Sequence, residues 1–408
     1  MLFSTLISDA VQPPPPVRWR YVATILLVWF LLLLSPAVMN IVVDPCQVFH
    51  KSWFKHVFFY KDNERFQGAG LIRNYLAPDH RFDGVIVGSS ISANITSQDI
   101  RSTLGWNGLN LSVRASGLTE RYFILQHALA TGRVRHVLLE LYAADVDETA
   151  ALLDEKASFP FYLYSDRLLD KFPYVFNLSI LQASLMLLQQ NDWLPSLPAG
   201  LQKFLVLDPA IWGEKGVEAW SVWMQDAGHM QDFERFNRPD NLLRKRREID
   251  AVRQQYQGQL QSTHDYPFAI QQLCIVDLVR AHPDIAFDIW FAPVSLARYA
   301  SEPDPQFIDR NVALRRFVVT SLASASNVRV FGFDNELSIT GDLRNYLDYS
   351  HFSPRVQDWV LREVGQGHHR LTVENIDSYA EQFRRNVMDF DIAVPASNSA
   401  PTTINQTP

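Results

Sequence analysis

What the chain lacks narrows its chemistry before any motif is considered. Two cysteines, Cys46 and Cys274, are too few in 408 residues to build a disulfide framework. There is no basic excess: 37 Lys and Arg stand against 44 Asp and Glu, a net charge of -7. Nothing is left over to neutralise a phosphate backbone, so no nucleic-acid partner is expected. The one dense basic cluster, Arg244-Lys-Arg-Arg247, lies in a charged helical pattern that runs to about Gln261 and also carries Glu248 and Asp250, which reads as a solvated helix face. No Gly-x-Gly-x-x-Gly and no P-loop sequence occurs, and so no nucleotide cofactor is expected. The histidines are scattered: His127, His136, His229 near Asp226, His264 beside Asp265, and the pair His368-His369. None has the spacing of a ligand set, and no metal is expected. Wholesale disorder is excluded by a composition of 47% hydrophobic and 20% charged residues.

What is present begins with a long apolar run. From Tyr21 to Val43 there is no charge, and Ile25 to Leu34 is almost purely apolar. About 20 such residues make a helix long enough to cross the hydrocarbon layer of a membrane. Arg18 and Arg20 precede the run and Asp44 follows it. The positive-inside rule then predicts a cytoplasmic segment 1–20, a signal anchor over 21–43 in the cytoplasmic membrane, and the bulk of the chain on the periplasmic or extracellular side. No convincing Ala-x-Ala cleavage site follows, and Pro36 can kink such a helix without forbidding it. The juxtamembrane segment 44–82 is rich in aromatics, including Phe49, Trp53, Phe54 and Phe58, and is predicted to pack on the main domain or at the bilayer interface.

An α/β rhythm begins at Asp83. Val85-Ile-Val87 is a short apolar run ended by Gly88, Ser89 and Ser90, the pattern of a buried parallel strand. A helix over Ser97–Leu104 follows, capped by Thr96 or Ser97, then a strand over Trp106–Val113, a helix over Gly117–Gly132 and a strand at His136–Leu141. The rhythm breaks between Asp145 and about His264, where aromatics and prolines dominate. That region, 146–264, is predicted to be a mostly helical insertion. Its stretch Tyr174–Leu188 is short for a membrane span, and a bilayer-apposed helix is the alternative to a buried one. The rhythm returns over 265–365, with helices at Phe268–Ala281, Pro305–Ser324 and Pro354–Val364 and strands at Ala286–Pro293 and Val328–Phe333. Residues 366–408 are predicted to be a charged helical tail with a disordered end rich in Pro, Ser, Thr and Asn. Strands alternating with helices on this scale mean an open, parallel, three-layer sheet.

Two short stretches carry chemistry. A serine just after a strand, as Ser90 is, becomes a nucleophile only if a base stands beside it. Asp348-Tyr-Ser-His351 can supply one: residues three apart in a turn face the same way, so the Asp348 carboxylate can hold Nδ1 of His351 and leave Nε2 as the base. The duller reading makes Asp348 a helix cap and His351 a packing residue. Both stretches follow strands and so belong at the carboxyl edge of the sheet. Glu140 and Asp145, after the third strand, lie at the active edge of such a sheet and could bind substrate, but they read more simply as solvated strand ends.

With these blocks in this order the chain resembles the SGNH (GDSL-like) hydrolase superfamily, whose fold is flavodoxin-like. Gly88-Ser89-Ser90 takes the place of the first-block Gly-Asp-Ser, with Ser89 where Asp is usual, and Asp348 and His351 match the last block. The second-block Gly, whose backbone N–H helps form the oxyanion hole, corresponds best to Gly117, with Ser112 and Ser116 as alternatives. The third-block Asn has no clear counterpart after Leu139-Glu-Leu-Tyr142. With a membrane anchor and a large insertion, the chain looks similar to the branch that modifies bacterial surface polymers, such as teichoic-acid D-alanylation and polysaccharide O-acetylation proteins. The resemblance implies a serine esterase or O-acyltransferase acting through Ser90, His351 and Asp348, with Ser90 and Gly117 as oxyanion donors. It implies a glycan or lipid-linked substrate in the cell envelope, with a membrane acyltransferase or the glycan-synthesis machinery as partner. The alternative from another class is a catalytically inactive envelope protein that keeps the fold and binds a glycan or a partner as a scaffold.

Overall fold

Six short runs of buried residues make the sheet around which the chain is built. The computed structural model describes residues 19–54, 59–60, 64–76, 82–147, 159–194, 211–212, 239–256, 270–304 and 306–392. The strands are β1 (Gly84–Val87), β2 (Gly108–Asn110), β3 (His136–Leu141), β4 (Ala286–Phe291), β5 (Val328–Gly332) and β6 (Arg370–Leu371). They lie in the order β2-β1-β3-β4-β5-β6, parallel throughout except for the antiparallel edge β6. Residues of alternate parity feed two cores. Val85, Val137, Ile289 and Val330 face one side, and Ile86, Leu138, Trp290 and Phe331 face the other. A sheet buried on both faces requires helices on both. Glu64–Tyr75, Leu118–Ala130 and Ile270–Ala281 cover the first face; Ser97–Leu104, Pro354–Gln366 and Ile376–Asp389 cover the second.

The order of the first five strands is that of a doubly wound sheet whose direction of winding reverses beside β1. In such sheets the crevice outside the carboxyl ends of the strands at that reversal is where ligands bind. Ser90 follows β1 directly.

Local chemistry explains where the elements stop, and several predicted bounds move. The helix Ser97–Leu104 has the expected span. Thr96 Oγ1 accepts from the Asp99 N–H at 3.0 Å, Asp99 Oδ2 accepts from the Thr96 N–H at 2.8 Å, and Gly105 closes the helix at φ 81°. The predicted strand Trp106–Val113 contracts to Gly108–Asn110: Asn110 Oδ1 accepts from the Ser112 N–H at 2.9 Å and turns the chain there, while its Nδ2 donates to the carbonyls of Ser92 and Ile95, each at 2.8 Å. The stretch Tyr174–Leu188 is not one helix. Asn177 Oδ1 accepts from the N–H groups of Ser179 (2.8 Å) and Ile180 (3.2 Å), starting a new helix at Leu178. The axes of Leu168–Val175 and Leu178–Gln189 are 74° apart.

The region expected to be a tail beyond Arg370 instead joins the core. β6 pairs with β5, and the helix Ile376–Asp389 buries Ala380, Phe383 and Val387 against the second face. Those positions recur at i, i+3 and i+7, so the charged residues of this segment occupy only its outer side. Predictions that fall on 148–158, 195–210, 213–238, 257–269 and 393–408, Trp220 and Trp223 among them, lie outside the described residues.

Among the described residues one unbroken helix, Trp19–Val43, is long and apolar enough to cross a membrane; over Tyr21–Val43 its mean hydropathy is 2.5. It runs straight into the domain. The Asp44 carboxylate accepts from the N–H groups of Val48 (3.0 Å), Phe49 (2.6 Å) and His50 (2.9 Å), and from Tyr174 Oη at 2.8 Å. Cys46 packs so closely against the helix Glu64–Tyr75 that a Cβ on Gly70 would come within 2.1 Å of its carbonyl oxygen.

Candidate active site

The two stretches singled out in the sequence, 261 positions apart, meet at the carboxyl edge of the sheet. Ser90 Oγ lies 2.7 Å from His351 Nε2, and His351 Nδ1 lies 2.7 Å from Asp348 Oδ2. An ionised carboxylate only accepts hydrogen bonds, so Nδ1 carries the proton and donates it to Asp348. Nε2 is then left to accept from the Ser90 hydroxyl, the arrangement a general base needs. Ser90 and His351 are half-buried, which leaves the pair open to a reactant.

The base half of the site is a tight local turn. Asp348 Oδ1 accepts from the backbone N–H groups of Ser350 and His351, both at 2.7 Å, while Oδ2 takes the ring. Asp348 is therefore not the cap of the helix Pro354–Gln366; Ser353 occupies that position. Burial pushes the Asp348 carboxyl up, but the His351 ring and the two N–H groups outweigh it and hold the group below its ordinary value. Neighbouring elements fix the turn. Ser295, in the loop after β4, donates its N–H (3.1 Å) and Oγ–H (2.8 Å) to the Tyr349 carbonyl. Tyr142 Oη meets Ser350 Oγ at 2.7 Å, and Lys245 Nζ, from the helix Pro239–Tyr256, sits 4.6 Å from the Tyr349 ring centroid.

The nucleophile half is held by a residue that sequence reasoning placed in solvent. Glu140 is 0% exposed. Its Oε1 accepts from Ser89 Oγ at 2.5 Å; its Oε2 accepts from the Ser89 N–H (3.2 Å), the Ser92 N–H (2.9 Å) and Ser92 Oγ (2.5 Å). A buried carboxylate costs several kcal/mol unless its lone pairs are filled, and here the turn around Ser90 fills them. The same packing requires Gly88: a Cβ there would lie 2.1 Å from Ser92 Oγ and 2.6 Å from Glu140 Oε2. Glu140 was legible in one respect. It shares parity with Leu138 on a strand buried on both faces, and so could not point to water.

Asp145, also expected to be a solvated strand end, is 4% exposed. It takes a 2.8 Å ion pair from Arg121 Nη1 and a 2.7 Å bond from the Tyr142 N–H. Arg121, which no sequence pattern singled out, also donates to the carbonyls of Glu140 (3.2 Å) and Ser116 (2.7 Å) and to Ser116 Oγ (3.2 Å). Ser116 Oγ in turn donates to the Gly88 carbonyl at 3.0 Å, and Ser112 Oγ faces Ser92 Oγ at 3.0 Å. Both alternatives to Gly117 are thus engaged in holding the turn. Gly117 itself is buried, at the N-cap of the helix Leu118–Ala130 that follows β2.

Comparison of the chain with family models, with curated proteins and with solved structures finds no match. Its chemistry is therefore read from this geometry. Among the described residues no group of three or more His, Cys, Asp or Glu could hold a metal ion. His136 stacks on Trp106, His127 lies against Tyr164, and His368 and His369 both reach Glu363.

Proposed function

We propose that the chain is a membrane-anchored, extracytoplasmic serine esterase or O-acyltransferase of the SGNH type. Its substrates are acyl esters of an envelope glycan or of a lipid-linked glycan. The observation that carries this reading is the relay Ser90 Oγ–His351 Nε2–His351 Nδ1–Asp348 Oδ2, with both links at 2.7 Å. His351 takes the Ser90 proton as Oγ attacks the acyl carbonyl. The oxyanion is held by the backbone N–H groups of Ser90 and Gly117, and the tetrahedral intermediate collapses to an acyl-Ser90 ester as His351 returns the proton to the departing alcohol. A sugar hydroxyl or water, deprotonated by the same His351, then releases the acyl group. Transfer or hydrolysis follows from which of the two reaches the ester first.

The direct test is covalent labelling of the full-length protein in detergent with a fluorophosphonate probe, which phosphonylates an activated serine. The wild type labels, while Ser90→Ala and His351→Ala do not. Equal labelling of wild type and Ser90→Ala removes the nucleophile assignment. A folded wild type that fails to label at all points to the inactive scaffold, a reading that the missing third-block Asn favours.

A further inference from the structure

The apolar helix Trp19–Val43 is met at its carboxyl end by other elements of the chain. Its last turns have two faces. Ala37, Asn40 and Val43, one helical turn apart, are at most 4% exposed, while Val38, Ile41 and Val42 between them are 41% or more exposed. The inner face is covered by the bent helix pair of the insertion. Asn40 Nδ2 donates to the carbonyls of Val175 (2.9 Å) and Asn177 (3.1 Å), its Oδ1 accepts from Ser184 Oγ at 3.1 Å, and Val43 packs with Leu187 and Phe54.

This seam sets the depth of the pair. The apolar run Tyr21–Val43 has 23 residues. At about 1.5 Å per residue it spans little more than the ~30 Å hydrocarbon layer. With that run in the bilayer, Ala37 to Val43 lie in the outermost ~10 Å of the span on the side of the folded domain, and whatever is docked on them lies at the same depth.

The outer side of the docked pair has the matching chemistry. Leu168, Leu169, Phe172, Phe176 and Leu178 are 49–77% exposed and fall in one short segment at the bend. Trp193, beyond the far end of the second helix, is 65% exposed, and Arg167 is exposed just before the segment. An apolar patch bounded by an aromatic and by the exposed charged pair Asp166 and Arg167, continuous with the apolar helix Trp19–Val43, matches lipid chains below and headgroups above. The helix Leu178–Gln190 has 13 residues, about 20 Å at 1.5 Å each, which is too short to cross. We infer that Leu168–Leu178 and the helix after it form a second, monotopic membrane contact, seated in the leaflet that receives the carboxyl end of the anchor. This inference does not depend on the chemistry of Ser90.

The test uses the full chain reconstituted in vesicles of phosphatidylcholine and phosphatidylglycerol. Leu169→Cys and Phe172→Cys are labelled with a nitroxide, the parent protein giving the background from Cys46 and Cys274. Val28→Cys on the anchor and Arg133→Cys in an exposed turn serve as references for lipid and water. Collision with dissolved oxygen exceeds collision with a water-soluble nickel chelate at 169 and 172, as at 28, and the ratio inverts at 133. Labels at 169 and 172 that behave like the one at 133 overturn the inference and leave the patch to a protein partner. The unsubstituted protein gives a second readout that needs no cysteine: a phospholipid with a diazirine on its acyl chain forms adducts with the peptide 168–178. Adducts confined to the anchor overturn the inference equally.

Discussion

Two aspartates, Asp44 where the anchor meets the domain and Asp348 beside His351, do nearly the same job with opposite electrostatic results. Each folds a turn by accepting backbone N–H groups of the residues that follow it, and each takes one further donor from a ring-bearing side chain. Yet the Asp44 carboxyl is pushed up and the Asp348 carboxyl is held down. At Asp44 burial dominates, and the N–H groups of His50, Phe49 and Val48 and the hydroxyl of Tyr174 only partly offset it. At Asp348 burial is again the largest effect, but the imidazole adds both a hydrogen bond and a charge that a phenol cannot. Hydrogen-bond geometry alone does not set the protonation of a carboxyl; the titratable partner decides. On the proposed reading, that partner is what separates the structural turn at Asp44 from the one that would serve catalysis at Asp348.

The strongest way to break this comparison is Asp348→Asn. The amide oxygen can still take the N–H groups of Ser350 and His351, so the turn stands, but Nδ1 loses its acceptor and the useful tautomer is lost. Fluorophosphonate labelling is expected to slow by roughly 10³–10⁴-fold while the melting temperature moves little. A large loss of melting temperature instead makes Asp348 a structural residue like Asp44. Glu140→Gln comes next. Its amide NH₂ would face donors of Ser89 or Ser92, and a loss of ~3–5 kcal/mol in denaturant titration is expected, with labelling of Ser90 falling in whatever fraction remains folded. Asp44→Asn turns an amide NH₂ either on the N–H groups of Phe49 and His50 or on that of Val48, and should lose ~1–3 kcal/mol, with the labelling rate of folded protein unchanged.

The smallest effect is the most discriminating. A carboxyl with a lowered folded pKa contributes stability that is present above its unfolded value and fades as the pH falls through the folded one. The stability difference between wild type and Asp348→Asn should therefore shrink as the pH drops below about 4. For Asp44 the sign reverses. Its raised folded pKa means that the folded state holds the proton more tightly, so its contribution declines as the pH rises through the ordinary carboxylate range. Melting temperatures of the two Asn variants against wild type between pH 3 and 7, an interval chosen to bracket the ~3.9 of a free Asp, would show opposite trends. Parallel trends would show that the two turns are electrostatically alike.

Much of this architecture was legible from residue order. Apolar runs such as Val85–Val87 and His136–Leu141 mark strands buried on both faces, and a four-residue motif such as Asp348–His351 holds its own geometry because its contacts are local. What escaped was non-local or masked by composition. Glu140 looked like a strand end because a lone carboxylate is usually solvated; only the Ser89–Ser92 turn, folded back from β1, shows what fills it. The helix Ile376–Asp389 looked like a tail because its charged side is as prominent as the face that buries Phe383. The break at Asn177 was hidden by an apolar run that reads continuously through it. The proposed oxyanion hole is the least legible part, since backbone N–H groups leave no mark in a sequence beyond a glycine such as Gly117.

The knot at Asp44 also bears on how far the site can reach. A domain on a flexible tether samples a volume that grows with linker length, and its effective concentration near a membrane-bound target falls as that volume grows. Here Asn40, Asp44 and Cys46 lock the end of the anchor to the helices beside it, and no slack separates span from domain. On the proposed reading, with Tyr21–Val43 in the bilayer, the site is carried at one height and one bearing above the lipid, as on a mast. If the chain is the proposed acyl-ester enzyme, its encounters become a search in two dimensions, in which the acceptor must come to Ser90 at that height.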